Sequence, residues 1–177
     1  MARRAGVGIA TLFRRFPTQQ DLIAAVFEDT MDSYVSAVTT ALEEPDPWEG
    51  FAYFIRTACG MQAADRGFAE VLTMTFPAAD ELEAKRSTAL NGVTELIGRA
   101  QRAGQLRAEF RPEDLVVLLM ANAGVVAAAG DSAPGAWKRL VGHLLRAFAA
   151  HEIDAPPPAP EPAELEQAMQ RLTSNPP

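Results

Sequence analysis

Apolar residues return along this chain at helical spacing. Trp137, Leu140, Val141, Leu144, Leu145 and Phe148 follow one another by three and four residues, which puts them on one face of a helix. Leu82, Arg86, Leu90, Val93, Ile97 and Ala100 form a second stripe, and Phe51, Phe54, Ile55, Ala58 and Cys59 a third. No segment alternates with period two over six or more residues, and no Asn-Gly or Asp-Gly pair marks a hairpin. The pattern predicts an all-α fold with helices over 8–16, 18–42, 47–64, 67–75, 79–103, 112–129 and 134–151.

Local punctuation supports several of these boundaries. Thr18 followed by Asp21 has capping-box spacing, with Pro17 closing the helix before it. Gly104 stands where a helix ending at Arg102 and Ala103 needs a left-handed residue. Pro112, then Glu113 and Asp114, suits a first helical turn whose exposed N–H groups favour acids. After residue 151 the character changes: "APPPAPEPA" (155–163) holds five prolines and predicts an extended spacer. Leu165, Met169 and Leu172 then suggest a short amphipathic turn. There is no internal repeat.

Composition narrows the chemistry. With 177 residues, 48% hydrophobic and 22% charged, the chain suits one soluble globular domain with a small appendage. Cys59 is the only cysteine, which rules out an intrachain disulfide and a thiolate metal cage. Arg3 and Arg4 are not followed by an apolar run, so no signal peptide is expected. The longest near-apolar stretch, 115–129, is short for a bilayer and contains Asn122, so the expectation is a cytoplasmic protein without a membrane partner.

Charge is uneven. Residues 1–20 carry Arg3, Arg4, Arg14 and Arg15 and no acid, whereas the rest of a chain of net charge −7 is strongly acidic. Only the N-terminal end would attract a phosphate backbone.

Enzymatic signals are weak. "GVGIAT" (6–11) lacks the third glycine and the preceding strand of a dinucleotide fingerprint. His143 and His151 stand eight residues apart, with no acid cluster that would complete a metal site. Cys59 lies on an apolar helix face, where packing is the ordinary role of a cysteine. The reading is a protein with no catalytic residues, no metal and no cofactor.

The opening 25 residues after Ala2 carry a more specific pattern. "RRAGVGIATLFRRFPTQQDLIAAVF" (3–27) resembles the TetR family of transcription regulators. Ala2, Ala5, Gly6 and Val7 match the end of that family's second helix and its turn. Thr11, Leu12 and Phe16 match its recognition helix, and Leu22 the start of its fourth. "RAGQLRAEFRPEDLV" (102–116) is similar to its link between the seventh and eighth helices. Phe13 replaces the usual tyrosine, and Gln19 the usual phosphate-contacting lysine. Met1 falls inside the family's second helix, so roughly 40 residues of a complete helix-turn-helix pattern are not in this sequence.

The resemblance implies a division into 1–17, a partial helix-turn-helix; 18–151, a ligand-binding and dimerisation body; and 152–177, a proline-rich tail. It implies groove-facing roles for Gly8, Ile9, Ala10, Thr11, Phe13, Arg15 and Gln19, with Ile9 and Ala10 against thymine methyls and Arg15 on a guanine or phosphate. It also sets an effector pocket among the middle helices, where Trp48, Phe51, Phe54, Cys59, Phe68, Leu72, Met74 and Phe76 would line a mostly apolar cavity for a small hydrophobic effector.

A homodimer is expected through the last two helices of the body. The 112–129 helix is apolar nearly all round and must be covered on more than one side. The residues assigned to that contact are Leu119, Ala123, Val126, Trp137, Leu140, Val141, Leu144, Leu145 and Phe148. The function implied is a ligand-responsive repressor released from operator DNA by its effector. The alternative is a helical sensor and dimerisation module that binds no operator, which is what the sequence starting at Met1 leads one to expect.

Overall fold

The computed structural model describes Phe16 and residues 19–64, 80–150, 161–165 and 167. Within these, five α-helices follow in order: α1 (Gln19–Glu43), α2 (Pro47–Ala64), α3 (Asp80–Arg102), α4 (Pro112–Ala129) and α5 (Ala136–Phe148). A 3₁₀ turn, Gly130–Ser132, bends the chain between α4 and α5. The expected helix 67–75 and, apart from Phe16, the expected helix 8–16 lie outside the described residues, as do the Thr18 cap and the division at residue 17.

α2 is the hub. It packs against α1, α3, α4 and α5, while α1 pairs chiefly with α3 and α4 with α5. Its buried side, Phe51, Ala52, Phe54, Ile55, Ala58, Cys59 and Gln62, is wider than a one-sided surface helix would need. α1 answers with Met31, Tyr34, Ala37, Val38 and Ala41. α3 contributes Leu82, Ala89, Val93, Leu96, Ile97 and Ala100. Leu90, assigned to that stripe from spacing, is instead 47% exposed, because the buried arc runs through Ala89 and Val93 and leaves Leu90 on its flank.

Helix ends are secured by residues from elsewhere. Asp46 accepts the backbone N–H groups of Trp48 at 2.8 Å and Glu49 at 3.2 Å, capping the start of α2 beside Pro47. α1 has no basic residue in its last turn. Arg99 of α3 fills that role, donating to the carbonyls of Leu42 and Glu44. Gly104, at φ +69°, closes α3 with the paired bonds Gly104 N–H to Gln101 O (2.9 Å) and Gln105 N–H to Ala100 O (3.0 Å). α4 starts as expected, with Pro112 in its first turn and Asp114 accepting the Arg111 N–H at 2.8 Å.

The expected 134–151 helix is shorter than its sequence pattern. α5 stops at Phe148 because the backbone then pairs with the link after α3. Arg107 N–H donates to Phe148 O at 3.1 Å, Ala150 N–H donates to Gln105 O at 2.9 Å, and Leu106 and Ala149 form an antiparallel bridge. Those tertiary bonds replace the helical ones. An aromatic row, Trp48–Phe51–Phe110–Phe148, runs through the same corner with centroid spacings of 5.9, 5.4 and 4.8 Å.

Candidate functional site

The sequence-assigned pocket residues divide into three groups. Phe51 and Phe54, each 1% exposed, and fully buried Cys59 are in the packed core. Phe54 stacks edge-on against Tyr34 at 5.6 Å, and Phe51 against Phe110. Trp48 is half-buried and lines an open cleft of about 420 Å³ between α2 and α5, together with Arg56, Gly142, Leu145, Arg146 and Ala149. Phe68, Leu72, Met74 and Phe76 lie outside the described residues. The structure therefore brings Phe51, Phe54 and Cys59 together and leaves Trp48 at the edge.

Burial pushes the Cys59 thiol from its ordinary value near 9.0 up to about 12. Such a thiol stays protonated at neutral pH, which suits packing and not nucleophilic or redox work. Tyr34, buried beside it, is also pushed up, first by burial and then by the neighbouring sulfur. Among the described residues no group of three or more His, Cys, Asp or Glu side chains could hold a metal ion.

Beside Cys59 lies a polar feature that the apolar pattern does not announce. Asn122 of α4, fully buried, donates through Nδ2 to the Cys59 carbonyl at 3.2 Å and to Gln62 Oε1 at 2.7 Å. Gln62, the last buried residue of α2, is 2% exposed. Among the described residues, Gln62 Nε2 and Asn122 Oδ1 find no hydrogen-bond partner. Sequence reasoning passed over Gln62, although its place three residues after Cys59 on a buried face was a legible signal. Trp137 of α5 lies nearby: a Cβ built on Gly60 would meet its ring at 3.3 Å.

The third region is the outer side of α4 and α5. Of the 18 residues of α4 only Leu115, Leu118, Leu119 and Asn122 are buried. Val117 is 43% exposed, and Ala121, Gly124 and Ala128 continue its line at helical spacing. With a mean hydropathy of 1.5, α4 is long and apolar enough to cross a membrane by length and composition. Its buried Asn122 bond into α2 ties it to the protein body instead. Among the residues assigned to the dimer contact, Leu119, Val141 and Leu145 are buried within the chain itself and are spent on its own core. Ala123, Val126, Trp137, Leu140, Leu144 and Phe148 are half-buried. Spacing could not separate the two sets, because one stripe serves both the core and its margin.

Of the expected DNA-contacting positions, Gly8, Ile9, Ala10, Thr11, Phe13 and Arg15 lie outside the described residues, and Gln19 opens α1.

The described residues thus form a helical body built round one central helix, with an apolar helix pair left open at its side. Residues 46–147 match the family of C-terminal domains described as SbtR-like transcriptional regulators, more than half of the chain. The chain belongs to the TetR family of transcriptional regulators. Among solved structures it is similar to the TetR transcriptional regulator SCO0520 from Streptomyces coelicolor, with 27% identity, a TM-score of 0.55, and 84% of this chain and 85% of that one covered. It is also similar to the TetR family transcriptional regulator PfmR from Thermus thermophilus, at 18% identity and a TM-score of 0.49 over 97% of this chain and 83% of that one. Among curated proteins none matches the chain.

Proposed function

We propose that this TetR-family protein is a homodimeric, effector-responsive repressor that, in a form carrying a complete helix-turn-helix, binds operator DNA through residues 8–19 and releases it when a small hydrophobic molecule enters the body. The open apolar side of α4 carries the reading. A line of Val117, Ala121, Gly124 and Ala128 is costly to leave in water, and its small residues allow a second helix to approach closely. Two copies meeting there, with Leu140 and Leu144 of α5 at the margin, would make a self-complementary contact about a twofold axis. Two recognition helices would then be held about 34–36 Å apart, one turn of DNA.

α1 starts at Gln19, directly after the expected recognition segment, and packs along α3 and α2. An effector that moves α2 or α3 therefore acts on the DNA-contacting end through one rigid helix, with a coupling free energy of typically ~1–3 kcal/mol. The place of action is the cytoplasm, and no enzymatic step is involved.

Sedimentation equilibrium of the chain and of Ala121→Arg tests the assembly on which this rests. Ala121 is exposed, so the arginine leaves the protein's own core intact. The expected result is a dimer for the wild type and a folded monomer for the variant. A wild type that is monomeric at tens of micromolar overturns the proposal.

A further inference from the structure

The Gln62–Asn122 pair is satisfied on one side only. Its single bond, 2.7 Å from Asn122 Nδ2 to Gln62 Oε1, leaves one donor, Gln62 Nε2, and one acceptor, Asn122 Oδ1, buried without partners among the described residues. Turning an amide over does not remove the problem. Flipping Gln62 alone sets nitrogen against nitrogen. Flipping both amides leaves one donor and one acceptor again, and sets Asn122 Oδ1 against the Cys59 carbonyl. A buried donor and acceptor left unpaired are each costly, so the pair calls for a further component, a bound water or a ligand that meets both atoms.

That component is defined by chemistry. It must accept from Gln62 Nε2 and donate to Asn122 Oδ1, both within one hydrogen-bonded pair. Among the described residues no charged side chain hydrogen-bonds to either amide, so an ion would be buried uncompensated. A neutral cis-amide edge, as in a lactam, an imide or a primary carboxamide, offers the acceptor and the donor side by side. We propose that Gln62 and Asn122 form the polar recognition point for the effector, and that the effector carries a neutral cis-amide on an otherwise apolar skeleton. This deepens the effector reading above and rests on it.

The location suits a signalling contact. Gln62 is on α2, the hub, and Asn122 is on α4, whose other side is the open apolar face. A ligand seated on both atoms bridges the two helices. Trp137, against Gly60, is two residues along α2 from the pair and provides a fluorescence reporter.

The test titrates the whole chain with four seven-membered-ring probes while following tryptophan emission and, separately, binding heat. The probes are ε-caprolactam, N-methylcaprolactam, cycloheptanone and cycloheptane. Caprolactam has both amide functions, the N-methyl compound and the ketone only the acceptor, and the hydrocarbon neither. The expected result is that caprolactam binds about tenfold or more tightly than each of the others, because the site's own polar atoms stay unpaired with them. Gln62→Met, which keeps length and loses the amide, should erase the preference while the hydrocarbon still binds. Four probes binding within a factor of two of one another would overturn the amide assignment and leave the apolar effector reading standing; a water held by the pair gives that outcome. No binding of any probe would overturn both.

Discussion

A Cβ placed on Gly92 of α3 would collide with Val38 Cγ1 of α1 and come within 3.5 Å of Leu42 Cδ1. The two helices are thus in contact at a point where one of them has no side chain. Val38 is 3% exposed and β-branched, so it has essentially one helical rotamer and cannot turn aside. Gly92→Ala should gain up to ~1 kcal/mol of helix propensity but lose about 1–3 kcal/mol to overpacking, for a net loss. Gly142→Ala, in α5 with nothing within 4 Å of its new methyl, should show the propensity gain alone. Urea midpoints that move in opposite directions for the two variants confirm the contact. A rise for both shows that α1 and α3 are further apart.

Gln101 fastens the link between α3 and α4. Its side-chain Nε2 donates to the carbonyls of Arg107 (3.0 Å), Ala108 (3.2 Å) and Phe110 (2.9 Å). These bonds set Phe110 into the aromatic row between Phe51 and Phe148. Gln101→Met keeps the stem and removes the donors, and should cost about 1–2 kcal/mol of stability. Thermal unfolding measures it, and an unchanged midpoint means that water serves those carbonyls equally well.

Much of this body was legible in its sequence, for identifiable reasons. α2 and α4 match their expected spans, 47–64 and 112–129, because Pro47 and Pro112 mark their starts. α5 was overrun because no breaker follows Phe148 before Pro156, and its stop comes from bonds to Gln105 and Arg107, some 40 residues earlier. The site was harder. Phe51, Phe54 and Cys59 were found by apolar spacing, which cannot tell a pocket wall from a filled core. Arg56 and Arg146 meet Trp48 only through the crossing of α2 and α5. The Gln62–Asn122 bond joins residues 60 apart, and nothing local in either helix specifies it.

Cys59 makes stability depend on alkaline pH. Its thiol ionises near 9.0 when unfolded and near 12 in the folded chain, so between those values only the unfolded state has lost the proton. Stability from this group is therefore intact below about pH 9 and falls as pH rises beyond it, a fall that Tyr34 reinforces because its pKa is also raised. Urea midpoints should drop between about pH 9 and pH 12, and Cys59→Ala should flatten part of that drop. The same burial predicts slow labelling by a thiol reagent in the folded chain and fast labelling in urea. Rapid labelling without denaturant would place the sulfur at the surface.

The Gln62–Asn122 pair should behave as a unit in a double-mutant cycle. Asn122→Leu strands Gln62 with both of its amide atoms buried and removes the donor to the Cys59 carbonyl. Gln62→Leu is gentler, since Asn122 keeps that carbonyl as a partner. Each single change should cost about 1–3 kcal/mol, with Asn122→Leu the larger. Replacing both removes every unpaired amide atom and leaves apolar groups facing each other. The double variant should therefore be at least as stable as Asn122→Leu alone, with a coupling of about 1 kcal/mol or more by urea unfolding. Strict additivity would mean that the 2.7 Å bond is not made in solution. The same cycle bears on the effector site, because it measures what the pair costs the protein when neither a water nor a ligand meets its two unpaired atoms.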